Sequence, residues 1–571
     1  MSVTTNDIAT DRTSADRTSA DRTTTAHVAD LDDLAIGDMK MAKVGERRVA
    51  VIRTASGVHA LDNACPHQGY GLVTGTLDGE LVTCQWHNWK FRADTGECVM
   101  GEEDVACHRV DICDGRVEVT VVEPTAEEER ERLWPSLLSG IQSNYMGQVA
   151  RDTARLLANG ADPHDIAWVG FEHSFPREEW GPGHAMATAI DCLAFADDRE
   201  GADRTLPLVQ GLAALSEPTR GRAPRPTPDA APGDLLALIE AEDADGAMAA
   251  ARHLAATSTI EETRRLFIEA SSMHHLGYGH GIIYTQKAFE LLERTGWHHA
   301  DVVLAQLALA TTWGTREDTL PYMSGAVAAM AELDFDVLAG VPVDPDWSDD
   351  SLVDDLLEAT EAPIARAAAA LEAGAGVERL LDAVTLAVSR RLLRYDLEVE
   401  YDLSEDFGWL DITHGLTASR AARWAYQAHP GAATVRQAMW EVWLAFDTGR
   451  MERRSAVGTE VTPAAIEGDV ADLIRRGDVD ATLAAIRAAG PAASGEALIE
   501  AALGDGAGSF IVVAHLIKMA KASIEEADAT GSDLPLLATG RFLAAPRLER
   551  FVTRNVGEAI NFVETGRPPT R

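Results

Sequence analysis

Between His27 and Val121 the chain runs in short stretches rich in β-branched residues, such as Val49-Ala50-Val51-Ile52 and Val117-Glu118-Val119-Thr120-Val121. Turn signals punctuate them at Ser56-Gly57, Asp78-Gly79, Thr95-Gly96 and Asp114-Gly115. Short β-rich runs with such punctuation predict strands of a small all-β domain over 27–122. From Thr125 onward the pattern changes to Ala/Leu/Glu-rich sequence with helical spacing of the apolar positions. That period predicts a large all-α domain over 123–571. Residues 1–26 carry few large apolar side chains and repeat Thr-Ser-Ala-Asp-Arg at 13–17 and 18–22, which predicts a disordered low-complexity tail. Five prolines between Pro218 and Gly233 predict a linker over 217–234. Gly340 to Asp350 reads as a second irregular stretch.

The helical part repeats itself. A helix carrying Glu172 precedes Gly181-Pro182-Gly183-His184, and a helix carrying Glu269 precedes Gly277-Tyr278-Gly279-His280. Two further segments follow the scheme less closely: Asp411-Ile412-Thr413-His414, and Glu500 ahead of Val512-Val513-Ala514-His515. We read two to four copies of one unit, a helix, a loop, and a helix with a histidine near its start.

Composition narrows the function classes. Fifty Lys and Arg stand against 91 Asp and Glu, a formal net charge of −41. Such a surface repels nucleic-acid phosphates and anionic lipids. No apolar run reaches the ~20 residues a membrane span needs, and the polar N-terminus has no apolar leader. A cytoplasmic protein is expected. Five of the six cysteines crowd between Cys65 and Cys113, and clustered Cys and His in such a protein point to metal rather than disulfides.

The metal-ligating pattern is Cys65-Pro66-His67, sixteen residues, then Cys84-Gln85-Trp86-His87. It resembles the Rieske motif, with two thiolates on one iron and two neutral imidazoles on the other. The alternatives are a Cys2His2 zinc site or ordinary core residues. The resemblance covers about Val28 to Val121 and implies a [2Fe–2S] cluster on Cys65, His67, Cys84 and His87. Gly69 and Gly71 would let backbone approach the cluster, and Trp86, Trp89 and Phe91 would shield it. The cluster loops lack the extra cysteine pair of respiratory Rieske proteins, so the resemblance is to the oxygenase-associated ferredoxin class. Cys98, Cys107 and Cys113 read as small apolar residues of strands.

A Rieske cluster needs an electron source and a sink. No glycine-rich nucleotide loop follows a strand, so a separate NAD(P)H-dependent reductase is the expected source. The carboxylate-and-histidine motif of Rieske oxygenases is absent, since Ser272 stands where the acid before His275 and His280 should be. Met273-His274-His275-Leu276-Gly277-Tyr278-Gly279, Trp180-Gly181-Pro182-Gly183-His184-Ala185-Met186 and Thr413-His414-Gly415-Leu416 resemble questin-oxidase-like proteins. That resemblance implies oxygenation of polycyclic aromatic ketones. Imidazoles and carboxylates converging from several helices make iron sites in bundles. The second expectation is therefore a non-haem iron site on His184, His280, His414, His515, Glu172, Glu269 and Glu500, with O2 and a small organic substrate. Bis-imidazole haem is one alternative, and helix-capping or core histidines are another. The competing function is an electron-transfer or redox-sensing protein whose helical part is a docking module.

Overall fold

β3 (Arg47–Arg53) buries both of its faces, and this places it between two cores. The computed structural model describes residues 22–402, 407–452, 466, 468–504, 506–547 and 551–566. β1 (Thr23–Asp30), β2 (Met39–Val44), β3, β4 (Val58–Asp62), β9 (Cys107–Cys113) and β10 (Arg116–Val122) form an antiparallel sheet in the order β1-β10-β9-β4-β3-β2. β5 (Thr76–Asp78), β6 (Leu81–Thr83), β7 (Lys90–Arg92) and β8 (Cys98–Met100) form a second, smaller sheet. Side chains alternate across a strand. Val49 and Val51 accordingly join one core with Val117, Val119 and Val121. Ala50 and Ile52 join the other, with Cys65, Leu72, Val82, Cys84, Trp89 and Phe91.

Two boundaries differ from expectation. Thr23–Ala26 belong to β1 and pair with β10, because three consecutive β-branched threonines suit a ladder; the rest of the expected tail, 1–21, lies outside the described residues. The first compact unit closes at Asp162 rather than 122. Two helices belong to it, α1 (Ala126–Ser143) and α2 (Met146–Ala158). Thr125 and Glu128 cap α1 reciprocally, satisfying two otherwise orphan N–H groups. Tyr145 packs on the core that contains Cys65 and Cys84, and Arg151 and Arg155 of α2 pair with the buried Glu103.

The second unit, 163–571, is helical. At its centre stand four helices, His184–Asp197, His280–Thr295, Trp409–Ala428 and Phe510–Thr530. Each packs on two of the others, closing a four-membered ring. The His184 helix is buried from Ala185 to Ala196, as its nearly all-apolar sequence requires. Gly279 precedes the His280 helix at φ 83°, with a Cβ position only 2.7 Å from Ala418. Only glycine fits that backbone and that approach. The segment over 217–234 lies inside the helical unit, with Arg225 donating to the Glu179 carbonyl and Arg252 to that of Pro228. Among the described residues no helix is long and apolar enough to cross a membrane.

Candidate functional site

Two loops of the β unit are built alike. In the first, the Cys65 N–H donates to Tyr70 O at 2.8 Å and the Gly69 N–H to Cys65 O at 2.7 Å. In the second, the Cys84 N–H donates to Trp89 O at 2.8 Å and the Asn88 N–H to Cys84 O at 3.1 Å. Gly69 and Asn88, each four residues after its cysteine, both take left-handed backbone, φ 78° and 62°. Gly71, at φ −64°, has a conformation open to any residue, so only Gly69 of the expected glycine pair is needed for the turn. The loops bring Cys65 and Cys84 side by side, both 2% exposed. Burial pushes the Cys65 thiol up to about 12. His67 Nδ1 lies 2.9 Å from His87 Nδ1 at the solvent side. Two thiols inside and two imidazole nitrogens outside suit an iron–sulfur pair with mixed ligation. Trp89 stacks on His67 at 5.0 Å, whereas Trp86 is 54% exposed and stacks on Tyr70. Arg151 of α2 donates to the His67 carbonyl at 3.2 Å.

In the helical unit, four imidazoles converge from the four central helices. His184 Nε2 is 3.2 Å from His280 Nε2, which is 2.9 Å from His414 Nε2, which is 3.2 Å from His515 Nε2. Ligand nitrogens of His184, His414 and His515 all lie within 4.8 Å of one another. Nitrogens bound to one ion at about 2.1 Å stand roughly 3.0–3.4 Å apart. Behind two of the rings the other nitrogen is occupied. His414 Nδ1–H donates to Leu410 O at 2.6 Å and His515 Nδ1–H to Ile511 O at 2.7 Å. Both Nε2 atoms therefore present lone pairs, and two lone pairs 3.2 Å apart repel. Protonation offers no relief: burial, and then the Lys518 ammonium, push His414 down to about 3 and hold His184 and His515 well below the usual range. A cation between the nitrogens satisfies all of them, with carbonyls orienting the rings behind.

The profile of the Rieske [2Fe–2S] domain matches residues 24–111. The ferredoxin component of the naphthalene 1,2-dioxygenase/salicylate 5-hydroxylase systems of Ralstonia sp. is 31% identical over 91 residues, 16% of this chain and 88% of that protein. The chain belongs to the Rieske [2Fe–2S] family. Its Rieske domain is also 40% identical over 72 residues to the ferredoxin component of the alkene monooxygenase system of Xanthobacter autotrophicus. That match spans 12% of this chain and 58% of the relative. A 36% match over 74 residues to apoptosis-inducing factor 3 of Mus musculus spans 13% of this chain and 12% of the relative. The Rieske domain is thus related to ferredoxin components of oxygenase systems, which implies a [2Fe–2S] cluster and electron transfer. Cys98 packs from β8 on the core that holds Cys65 and Cys84, as expected, but two other cysteines differ from expectation. Cys107 and Cys113 are exposed at the two ends of β9, where a strand runs out of core to cover it.

The helical partner of the Rieske domain leaves the three expected glutamates out of its histidine centre. Glu172 and Glu500 are exposed. Glu269 turns outward to Arg265 at 2.9 Å, since Thr263, Phe267 and Ala270 take the buried face of its helix. His274 is bridged between Asp318 and Glu240. Buried His275 lies 3.3 Å from Glu317.

A cavity of about 360 Å³ opens beside the centre, with His280 and Tyr284 in its wall. Trp180 and Trp313 meet edge to face at its rim, 6.0 Å between centroids. Glu178 lines it as well. Burial pushes this carboxyl up to about 7, and Ser174 Oγ donates to it at 3.0 Å. Three neighbours went unnoticed in the sequence: Glu178, Tyr284 and Lys518. Burial brings Lys518 down to about 7, and among the described residues its Nζ has no hydrogen-bond partner. Two were within reach of a spacing rule. Tyr284 is four residues after His280 and Lys518 three after His515, on the same helix faces.

Proposed function

We propose that Cys65, His67, Cys84 and His87 hold a [2Fe–2S] cluster fed by a separate NAD(P)H-dependent reductase, and that the electrons serve a non-haem iron held by His184, His280, His414 and His515 in O2-dependent oxidation of a small organic substrate. The observation that carries this reading is the set of Nε2 atoms spaced 2.9–3.2 Å apart, two of them fixed as acceptors by carbonyls behind the rings. Iron in such a centre supplies the reduction of O2. The residues supply everything around it. Leu410 and Ile511 carbonyls fix the tautomers of His414 and His515, and burial keeps all four rings neutral and ready to ligate. Trp180, Pro182, Leu276 and Trp313 give the cavity an apolar part to its wall, while His280 puts one edge of the centre inside it. Trp180, Pro182 and Leu276 fall in two of the three segments read from the sequence as questin-oxidase-like, and on that reading the substrate is an aromatic ketone.

Iron and acid-labile sulfide analysis tests the reading. About three irons per two sulfides are expected in the full chain, falling to about two in His280→Ala and His414→Ala. Two irons per two sulfides in the unaltered protein would leave the electron-transfer or redox-sensing module as the function.

A further inference from the structure

His184 differs from His414 and His515 in what stands behind it. Carbonyl oxygens can only accept, and they hold His414 and His515 in one tautomer. Behind His184 Nδ1 is the Tyr284 hydroxyl, at 3.2 Å. A hydroxyl can donate or accept. The pair therefore has two states. With the ring proton on Nε2, His184 donates to His280 Nε2 across 3.2 Å, and Tyr284 donates to Nδ1. With a lone pair at Nε2, the ring proton sits on Nδ1 and Tyr284 must accept. Among the described residues the hydroxyl has no other hydrogen-bond partner. In the second state its own O–H is released, and the side chain lines the cavity.

We propose that a divalent cation at the four-histidine centre turns Tyr284 from a donor to His184 into a donor to an acceptor oxygen of a molecule in the cavity, so that cation and cavity ligand bind cooperatively. This inference rests on the reading of the four histidines as a cation site. A cation takes the Nε2 lone pair and so selects the tautomer in which Nδ1–H points at Tyr284. The released phenol O–H is then a donor whose direction the centre's tautomer sets, on a cavity wall that also carries Glu178, Arg222, Thr311 and Thr315. A ligand without an acceptor oxygen gains nothing from the switch. By linkage, a ligand that accepts this hydrogen bond tightens the cation by the same factor.

The test uses the full chain, Zn2+ as a redox-inert cation, and 1-tetralone as a bicyclic aromatic ketone, with binding read by calorimetry. Zinc content is measured first, in the unaltered protein and in His414→Ala. One equivalent bound in the former and lost in the latter is expected. The Kd for 1-tetralone is expected to tighten about tenfold on zinc loading. Tetralin, the same skeleton without the carbonyl, should show no such gain. Tyr284→Phe should keep its zinc and lose the gain. Zinc bound with no gain for 1-tetralone, including no binding at all, overturns the switch and leaves the cation site standing. A gain shared by tetralin, or kept in Tyr284→Phe, also overturns it. No zinc lost in His414→Ala overturns the cation site and the switch together.

Discussion

Single residues of this chain are tuned by where burial puts them. Glu441 is 1% exposed in the helical unit, with Gln437 donating to one oxygen at 2.8 Å. Burial pushes its carboxyl from 4.5 up to about 7. The folded state thus holds this proton more tightly than the unfolded chain. Its contribution is full below about pH 4.5 and is lost as pH rises through 7, to a limit of about 3 kcal/mol. Glu441→Gln is expected to melt higher than the unaltered protein at pH 8 and at the same temperature at pH 4.5; equal melting at both would show that the carboxyl never carries its cost. At the proposed cluster, His67→Cys exchanges a neutral imidazole for an anionic thiolate. The reduction potential should fall by on the order of a few hundred millivolts in an EPR-monitored titration, and an unmoved potential would remove His67 from the ligand set. Both the Cys-x-His and the four-histidine positions were legible in the sequence, because ligands of fixed type at fixed spacing leave a pattern. Glu441 and Glu178 left none. A titratable residue becomes unusual only through what packs around it, and no local spacing records that.

At the scale of elements, the glycine loop at 277–279 decides where His280 points. Gly279→Ala sets a methyl against Ala418 in a left-handed backbone. It should cost about 1–3 kcal/mol and displace the His280 helix from the Trp409 helix. The proposed centre would then lose iron while the cluster keeps its sulfide. Iron-to-sulfide ratios measure this, and an unchanged ratio would mean the loop has slack. Most elements could be read from periodicity and turn residues, and the β unit was the easier half because Gly punctuates its strands. Readings failed where a tertiary partner overrode local composition. Thr23–Ala26 look like the tail before them, yet β10 offers a ladder. The helices α1 and α2 look like the helical half, yet Glu103 and the cluster-side core claim Arg151, Arg155 and Tyr145. The glutamates failed by phase. A repeat aligned by sequence does not say which face of the preceding helix turns inward.

For the whole molecule, the proposed iron centre and the fold of the helical unit are one equilibrium. An ion that binds only the folded form at 100 to 1,000 times its Kd stabilises that form by roughly 2.7–4.1 kcal/mol. Chelation is therefore expected to lower the melting temperature of the helical unit, and His515→Ala to remove that response; a chelator that changes nothing would argue against a bound ion. The four histidines are separated along the chain by 96, 134 and 101 residues. Bringing them together closes three long loops, and the entropy of each closure grows only slowly with length. No fragment of the unit contains the centre, and no partly folded chain can bind there with full affinity. Occupancy of the site then reports completion of folding. An ion caught early by two histidines would be held weakly and released, so the chain can sample its helices freely until the last of them, carrying His515, shuts the ring.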